Sequence, residues 1–357
     1  MSSPTTEMGS PDAPPADMLL GRPEFAGDVR VAAQWVRGRR VLVTGAAGSV
    51  GVPLARILLR AETEHLALLD HHEYSLFNLE RSLARPHAGL SYELADVRDT
   101  PRLQRLFEQH RPQTVFHLAA AKHVGYGERF PEGAVDTNVL ASATLLQLAQ
   151  QAGVEEFVYP SSDKSVAPPS LYGATKRITE CLVQAHPGKV VRYVNIIGTR
   201  GSVIEIFTNQ VREDRPLSVT DERMTRYWIS MDEALWSLLM TGFMATPGQV
   251  LLPACGQPMP LLETAQRLVD WYRPHQQPYP IAWTGMAPGE RLHEVLLSEN
   301  EFVSDGPVTG LRLVDTHRQP GRLQVLPEAV AELRELVRAG ERERLRQRCL
   351  ELAEALQ

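Results

Sequence analysis

The stretch that most restricts the fold is a short apolar run, Val41–Thr44. It passes directly into Gly45-Ala46-Ala47-Gly48-Ser49-Val50-Gly51 and then into the helical pattern of Val52–Leu59. A strand, a glycine-rich turn and a helix in that order let backbone N–H groups approach a pyrophosphate at the positive end of the helix. Pro53 falls in the first helical turn, where a missing N–H costs little. A glycine-rich turn alone is weak evidence, but Asp70 follows Gly51 by 19 residues at the end of the next apolar run. A carboxylate there can accept hydrogen bonds from both ribose hydroxyls, and the combination predicts dinucleotide binding. Asp70 would repel a 2′-phosphate, and His71 and His72 do not make an arginine clamp, so the reading favours NAD, with NADP as the alternative.

Further short apolar runs follow at Leu66–Asp70, Leu90–Ala95, Thr114–Leu118, Phe157–Ser161 and Val190–Asn195, separated by helical or loop stretches. Such alternation predicts an α/β fold with a doubly wound parallel sheet. After Ile197 the rhythm breaks on prolines and glycines. Residues 198–325 therefore read as a smaller C-terminal α/β lobe that binds substrate and is partly interleaved with the first domain, residues 18–197. Residues 1–17, rich in Ser, Pro, Thr and Ala, are expected to form a disordered tail ahead of a lead-in helix. Residues 326–357 alternate apolar residues with Arg and Glu at helical spacing, which predicts one or two amphipathic helices.

The formal charge of −6 is spread over 357 residues with no polybasic run, which argues against nucleic acid as a partner. Cys181, Cys255 and Cys349 are odd in number and scattered, as suits reduced thiols in a cytoplasmic protein. Neither a signal peptide nor a membrane-spanning apolar run is expected. Of 37 basic residues only four are lysine: Lys122, Lys164, Lys176 and Lys189. A chain that meets its charge needs with arginine keeps lysine in few places, which directs attention to sites needing a compact, deprotonatable ammonium.

Two of these lysines lie close together in sequence. The run Phe157–Pro160 ends in Ser161-Ser162-Asp163-Lys164, and Tyr172-Gly173-Ala174-Thr175-Lys176 follows. Tyr172 and Lys176 share a helix face. An ammonium near the phenol lowers its pKa, making Tyr172 a candidate base. At the carboxyl end of a parallel strand, where open α/β sheets bind ligands, this reading outweighs a surface tyrosine packed over a lysine.

These residues resemble the extended short-chain dehydrogenase/reductase proteins, and within them the nucleotide-sugar 4,6-dehydratases of polysaccharide biosynthesis (CapD-like). The resemblance covers about residues 18–300. It begins with Leu19-Leu20-Gly21-Arg22, Val43–Gly51 and Ala95-Asp96-Val97-Arg98-Asp99, and continues through His117-Leu118-Ala119-Ala120-Ala121-Lys122-His123-Val124. Ser161–Lys164, Tyr172–Arg177, Gly198–Val203, Met224–Trp228 and Pro288–Leu292 complete it. It implies a Rossmann-type sheet and, from the Lys-His-Val and Ser-Asp-Lys segments, the subgroup that acts on UDP-N-acetylglucosamine with inversion at carbon 5. A homo-oligomer is also implied, its chains paired through helices around Asn138–Gln151 and Leu171–Ala185.

The resemblance also implies roles. Tyr172, with Lys176, would take the 4-hydroxyl proton while hydride passes to bound NAD. Asp163 and Lys164 would remove the 5-hydrogen and expel the 6-hydroxyl as water, and hydride would return to carbon 6. Ser162 would bond the 4-oxygen. Cofactor contacts would come from Gly45, Ala47, Gly48, Ser49, Val50, Gly51, Asp70, Asp96, Val97, Ala119 and Ala120, with Tyr172 and Lys176. Lys122, His123, Asn195, Ser202, Arg226 and Glu290 would bind the sugar nucleotide, Arg226 at its diphosphate.

Competing readings pair Lys122 with Glu128 and make Asn195 a turn former. The histidines lack metal-ligand spacing, so no metal is expected. Three departures from the family pattern fall near the substrate: Gly125-Tyr126-Gly127 where proline is usual, Ala287 where arginine is usual, and Leu252–Gly256. Alternative activities are a 5,6-dehydratase giving an exocyclic alkene and a 4-epimerase. A non-enzymatic dinucleotide sensor has no need of Asp163, Lys164, Tyr172 and Lys176 together.

Overall fold

The computed structural model describes residues 13–25, 27–83, 89–276, 278–316 and 321–357. Nine strands form the main sheet: β1 (Arg40–Thr44), β2 (His65–Asp70), β3 (Leu90–Leu94), β4 (Thr114–His117), β5 (Glu156–Ser162), β6 (Lys189–Tyr193), β7 (Val250–Pro253), β8 (Glu301–Asp305) and β9 (Leu311–Thr316). Their order is β8-β9-β7-β6-β5-β4-β1-β2-β3. Strands β1 to β7 are parallel, and β9 and β8 add an antiparallel edge. The first six coincide with the apolar runs, because a strand buried on both faces must be apolar at successive positions.

Alternate residues feed two cores. Leu42, Leu69 and Val115 face one side with Ile178 and Leu182, whereas Val43, Leu68 and Phe116 face the other with Leu54, Leu58 and Leu239. Helix α1 (Gly51–Arg60) leaves the glycine-rich turn and lies on the second side. Residues 198–325 are divided: β7, β8 and β9 join the main sheet, while helices Val203–Arg212 and Leu261–Tyr272 build a lobe around Ile204, Phe207, Val211 and Leu268. The lead-in helix Ala16–Leu20 places Leu19 and Leu20 in this lobe core, not against the first domain as expected. Ala16 and Asp17, assigned to the tail, are already helical; residues 1–12 lie outside the described residues.

Helix α2 (Leu171–Ala185) starts at Ser170, whose hydroxyl accepts from Gly173 N at 3.1 Å. The resemblance implies that it presents a face to a second copy. Instead every residue from Leu171 to Val183 is buried, because the last of the chain's own C-terminal helices, α3 (Leu326–Ala339) and α4 (Arg342–Ala355), packs along it, α3 lying on α4 and on Asp136–Leu140. Leu333, Leu336, Cys349 and Leu352 enter the same core as Ile178 and Leu145. Arg177 fastens the arrangement by donating to the Leu356 carbonyl at 2.6 Å.

Candidate active site

The carboxyl ends of the parallel strands and the inner edge of the lobe enclose a cavity of about 1270 Å³. At one end lies the glycine-rich turn. Gly45 has φ +68°, and a Cβ there would meet Ala119 N at 2.7 Å, so only glycine lets the loop lie this close to the strand beside it. Asp70 closes the turn: its carboxylate accepts from Ala47 N and from His72 N, both at 3.0 Å, while still lining the cavity. Gly48, Val50 and Gly51 line the same end, with Ala119 and Ala120 on the wall and Val97 beneath. The Asp96 carboxylate is paired with Arg98 at 2.6 Å. This cradle of close-packed glycines with a carboxylate at the next strand end fits a dinucleotide.

A residue that sequence reading missed spans this end. Arg200 donates its backbone N–H to Ser49 Oγ at 3.0 Å and its guanidinium to the Ala47 carbonyl at 2.5 Å. Lys122 Nζ donates to the Arg200 carbonyl at 2.6 Å. Glu128, the alternative partner for Lys122, is engaged elsewhere: it accepts from Leu171 N at 2.7 Å and pairs with Arg346 at 2.6 Å. Burial, aided by Arg200, holds the Lys122 amine below its ordinary pKa.

The reactive end forms where β5 stops. Ser162 Oγ donates to Asp163 Oδ1 at 2.9 Å and accepts from Lys164 N at 3.2 Å, which pins the turn. Lys164 Nζ meets three oxygens: Asp163 Oδ1 at 3.1 Å, Glu294 Oε1 at 3.0 Å and Asn195 Oδ1 at 3.3 Å. Asp163 is fully buried and its Oδ2 has no partner among the described residues. Burial pushes the Asp163 carboxyl above its usual range, and Glu294 adds to the push against the pull of Lys164. Burial alone would lower the Lys164 amine, yet Asp163 and Glu294 hold it above its ordinary value.

Tyr172 and Lys176 both line the cavity, as their spacing predicts. Lys176 Nζ donates to the Pro160 carbonyl at 2.6 Å and sits 4.1 Å from the Tyr159 ring centroid, a cation–π contact. Burial drives this amine down to about 7, which weakens it as a fixed cation. Burial also raises the Tyr172 phenol, and the opposing pull comes from Lys164 and the Ser162 hydroxyl.

The residues expected at the substrate all line the cavity, but several are committed to the protein. Asn195 positions Lys164 while its amide donates to the Tyr227 carbonyl at 3.1 Å. Ser202 caps Val203–Arg212 by accepting from Glu205 N at 3.3 Å, and Glu290 accepts from Ala287 N at 3.0 Å within its own turn. His123 packs beside Tyr126, ring centroids 6.3 Å apart. Arg226, expected to face a diphosphate, donates to the carbonyls of Thr225 and Leu292 at 2.7 and 3.3 Å and lies 3.6 Å from Glu294 Oε1. Glu294 is the larger omission, since it follows the matched Pro288–Leu292 segment by only two residues yet nothing in its spacing points to Lys164. No cluster of His, Cys, Asp and Glu suited to a metal occurs among the described residues.

Comparison with known proteins agrees with this layout. The family model described as "Polysaccharide biosynthesis protein" matches residues 41–311. The probable polysaccharide biosynthesis protein EpsC of Bacillus subtilis is 35% identical over 296 residues, covering 80% of this chain and 49% of that protein. The chain thus spans about half the length of that relative. The inverting UDP-N-acetylglucosamine 4,6-dehydratase of Campylobacter jejuni serotype O:2 is 29% identical over 274 residues, 74% of this chain and 79% of the relative. Among solved structures, the dTDP-glucose 4,6-dehydratase DesIV of Streptomyces venezuelae, with NAD and TYD bound, superposes with a TM-score of 0.66 at 23% identity, covering 72% of this chain and 88% of that one. A parallel sheet opening on a glycine-rich turn, the strand-end residues beside it and a family match over most of its length place this chain in the polysaccharide biosynthesis protein family.

Proposed function

We propose that the protein is an NAD-dependent nucleotide-sugar 4,6-dehydratase acting on UDP-N-acetylglucosamine, with inversion at carbon 5. The observation that carries the reading is the Asp163–Lys164 pair at the end of β5: Lys164 lines the dinucleotide cavity with Tyr172, and the buried Asp163 carboxylate lies behind it at 3.1 Å. A 4-epimerase needs only an acid–base group at the 4-hydroxyl, whereas loss of water across two carbons needs a second acid and a second base. When bound, the dinucleotide supplies a hydride acceptor and donor. Gly45, Ala47, Gly48, Ser49, Val50, Gly51 and Asp70 would hold it, with Arg200 closing over its phosphates.

The chain's own residues divide the proton work. Tyr172, in its phenolate form, receives the proton of the sugar 4-hydroxyl, and Ser162 orients the 4-oxygen. A ketone at carbon 4 acidifies the hydrogen at carbon 5. Lys164 begins as an ammonium against the Asp163 carboxylate; passing one proton between them yields a neutral amine and a neutral acid, the states that elimination requires. The amine takes the 5-hydrogen as a proton, the bond from carbon 6 to its hydroxyl breaks, and Asp163 protonates the leaving oxygen. Water departs, and the ammonium–carboxylate pair is restored beside a 4-keto-5,6-alkene. Hydride returned to carbon 6 and a proton added at carbon 5 from the Lys164 ammonium would then give the 4-keto-6-deoxy sugar, and the Tyr172 phenol would return its proton to the Lys164 amine. Incubation with UDP-N-acetylglucosamine, followed by mass spectrometry and NMR, should show loss of one water and a 4-keto-6-deoxy sugar. An epimerised sugar of unchanged mass, or an alkene retaining the 4-hydroxyl, would refute this assignment.

A further inference from the structure

Lys164 is held by a residue from the other half of the molecule. Glu294 lies in the segment between the lobe and β8, and its side chain is 3% exposed. Its Oε1 accepts the Lys164 ammonium at 3.0 Å and lies 3.6 Å from Arg226 Nε. An ammonium has three N–H donors, and three oxygens surround this one: Asp163 Oδ1, Asn195 Oδ1 and Glu294 Oε1. Its orientation is therefore fixed.

We infer that Glu294 is a positioning residue for the proton chemistry: it sets the direction and the charge of Lys164, and Arg226 tempers that effect by sharing the same carboxylate oxygen. The inference rests on the dehydratase reading and adds to it the residue that decides at what pH Lys164 becomes a base. The ionisable groups facing this cluster all belong to the balance. Asp163 stands on the lysine's own turn, Tyr172 on α2, Arg226 on the strand Thr225–Arg226, Arg291 beside Glu294, and the buried Cys255 thiol after β7 faces Asp163. Lys164 gains proton affinity from both carboxylates and loses some to Arg226. Burial by itself would raise Glu294, but Lys164 and Arg226 keep it below its ordinary value, so it remains the charged member while Asp163 takes the proton.

The signs follow from charge alone. Glu294→Gln retains an oxygen acceptor of the same shape but removes a negative charge, so the Asp163–Lys164 pair sheds its second proton, and reaches the active one-proton state, at lower pH. Arg226→Gln removes a positive charge, so the pair holds that second proton to higher pH. The test is the pH dependence of deuterium uptake at carbon 5 of the product formed from UDP-N-acetylglucosamine, with reduction of bound NAD followed separately by absorbance. Relative to wild type, the acid limb should move down by about one pH unit in Glu294→Gln and up in Arg226→Gln, a unit being the shift that about 1.4 kcal/mol produces. Glu294→Ala should lower turnover at all pH values while NAD reduction persists. Acid limbs that superpose in wild type and both charge variants would overturn the inference and leave the dehydratase reading intact. Absence of carbon-5 exchange in the wild type would overturn both.

Discussion

Two buried charge clusters lie within the same fold and differ in that one is closed and the other open. In the first, Arg177 and Arg192 meet Glu180 and Glu301 at 2.6 to 2.9 Å, and all four side chains are at most 1% exposed. Every oxygen and most N–H groups are used; Arg192 alone bonds both carboxylates and the Leu296 carbonyl. In the second, Lys164 and Arg226 meet Asp163 and Glu294, but Lys164 is 24% exposed to the cavity and Asp163 Oδ2 lacks a partner among the described residues. The closed cluster uses arginines, which do not give up a proton; the open one uses a lysine, which can. Satisfied charges join β6, α2 and β8, whereas in the incompletely satisfied cluster Lys164 reaches the cavity, where the proposed proton chemistry would use it.

Breaking the closed cluster should have the largest effect on stability. Arg192→Leu leaves two buried carboxylates short of a partner and should cost about 3–5 kcal/mol in urea unfolding, while the folded fraction still reduces bound NAD in the presence of substrate. Lys164→Ala should do the reverse: dehydration falls by about 10²–10⁴-fold, NAD reduction remains, and the loss of stability is well below that of Arg192→Leu because the site faces the cavity. Unchanged turnover would remove the Asp163–Lys164 mechanism.

Acid should separate the clusters too. Burial alone would raise Glu301, but Arg192 and Arg177 hold it well below its ordinary value. A carboxyl with a depressed folded pKa contributes stability above its unfolded pKa and loses it as pH falls. Wild-type unfolding free energy should therefore decline below about pH 4.5, and Glu301→Gln, already destabilised at neutral pH, should decline less steeply. Asp70→Ala should weaken NAD affinity by about tenfold or more in calorimetry, since it removes both the ribose acceptor and the two bonds that shape the turn. Arg200→Ala should have the smallest effect, about two- to fivefold faster loss of bound nucleotide on dialysis, as expected of an exposed cation.

Much of the reactive end was legible because its parts are close in sequence. Asp163 and Lys164 adjoin β5, Tyr172 starts the next helix, and β1 to β6 announce themselves as apolar runs. The antiparallel edge was less visible, since β8 and β9 mix buried and exposed positions. Glu294 and Arg200 escaped notice because each reaches the site only after the lobe folds back over the sheet. Lysine scarcity pointed to Lys122, Lys164 and Lys176. The fourth, Lys189, serves the sheet instead, where its ammonium pairs with Glu156 at 2.5 Å and donates to the Gly242 carbonyl at 2.7 Å. The face of α2 shows the limit of analogy, because the chain's own C-terminal helices occupy the surface expected to pair with a second copy.

In the proposed mechanism the open cluster moves protons at carbon 5. Its most direct test is NMR of the product formed from UDP-N-acetylglucosamine in deuterated water by wild type and Lys164→Ala. The wild type should give a 4-keto-6-deoxy sugar carrying deuterium at carbon 5, and the variant an intact 6-hydroxyl without deuterium at carbon 5. Equal deuterium at carbon 5 from both proteins would contradict it.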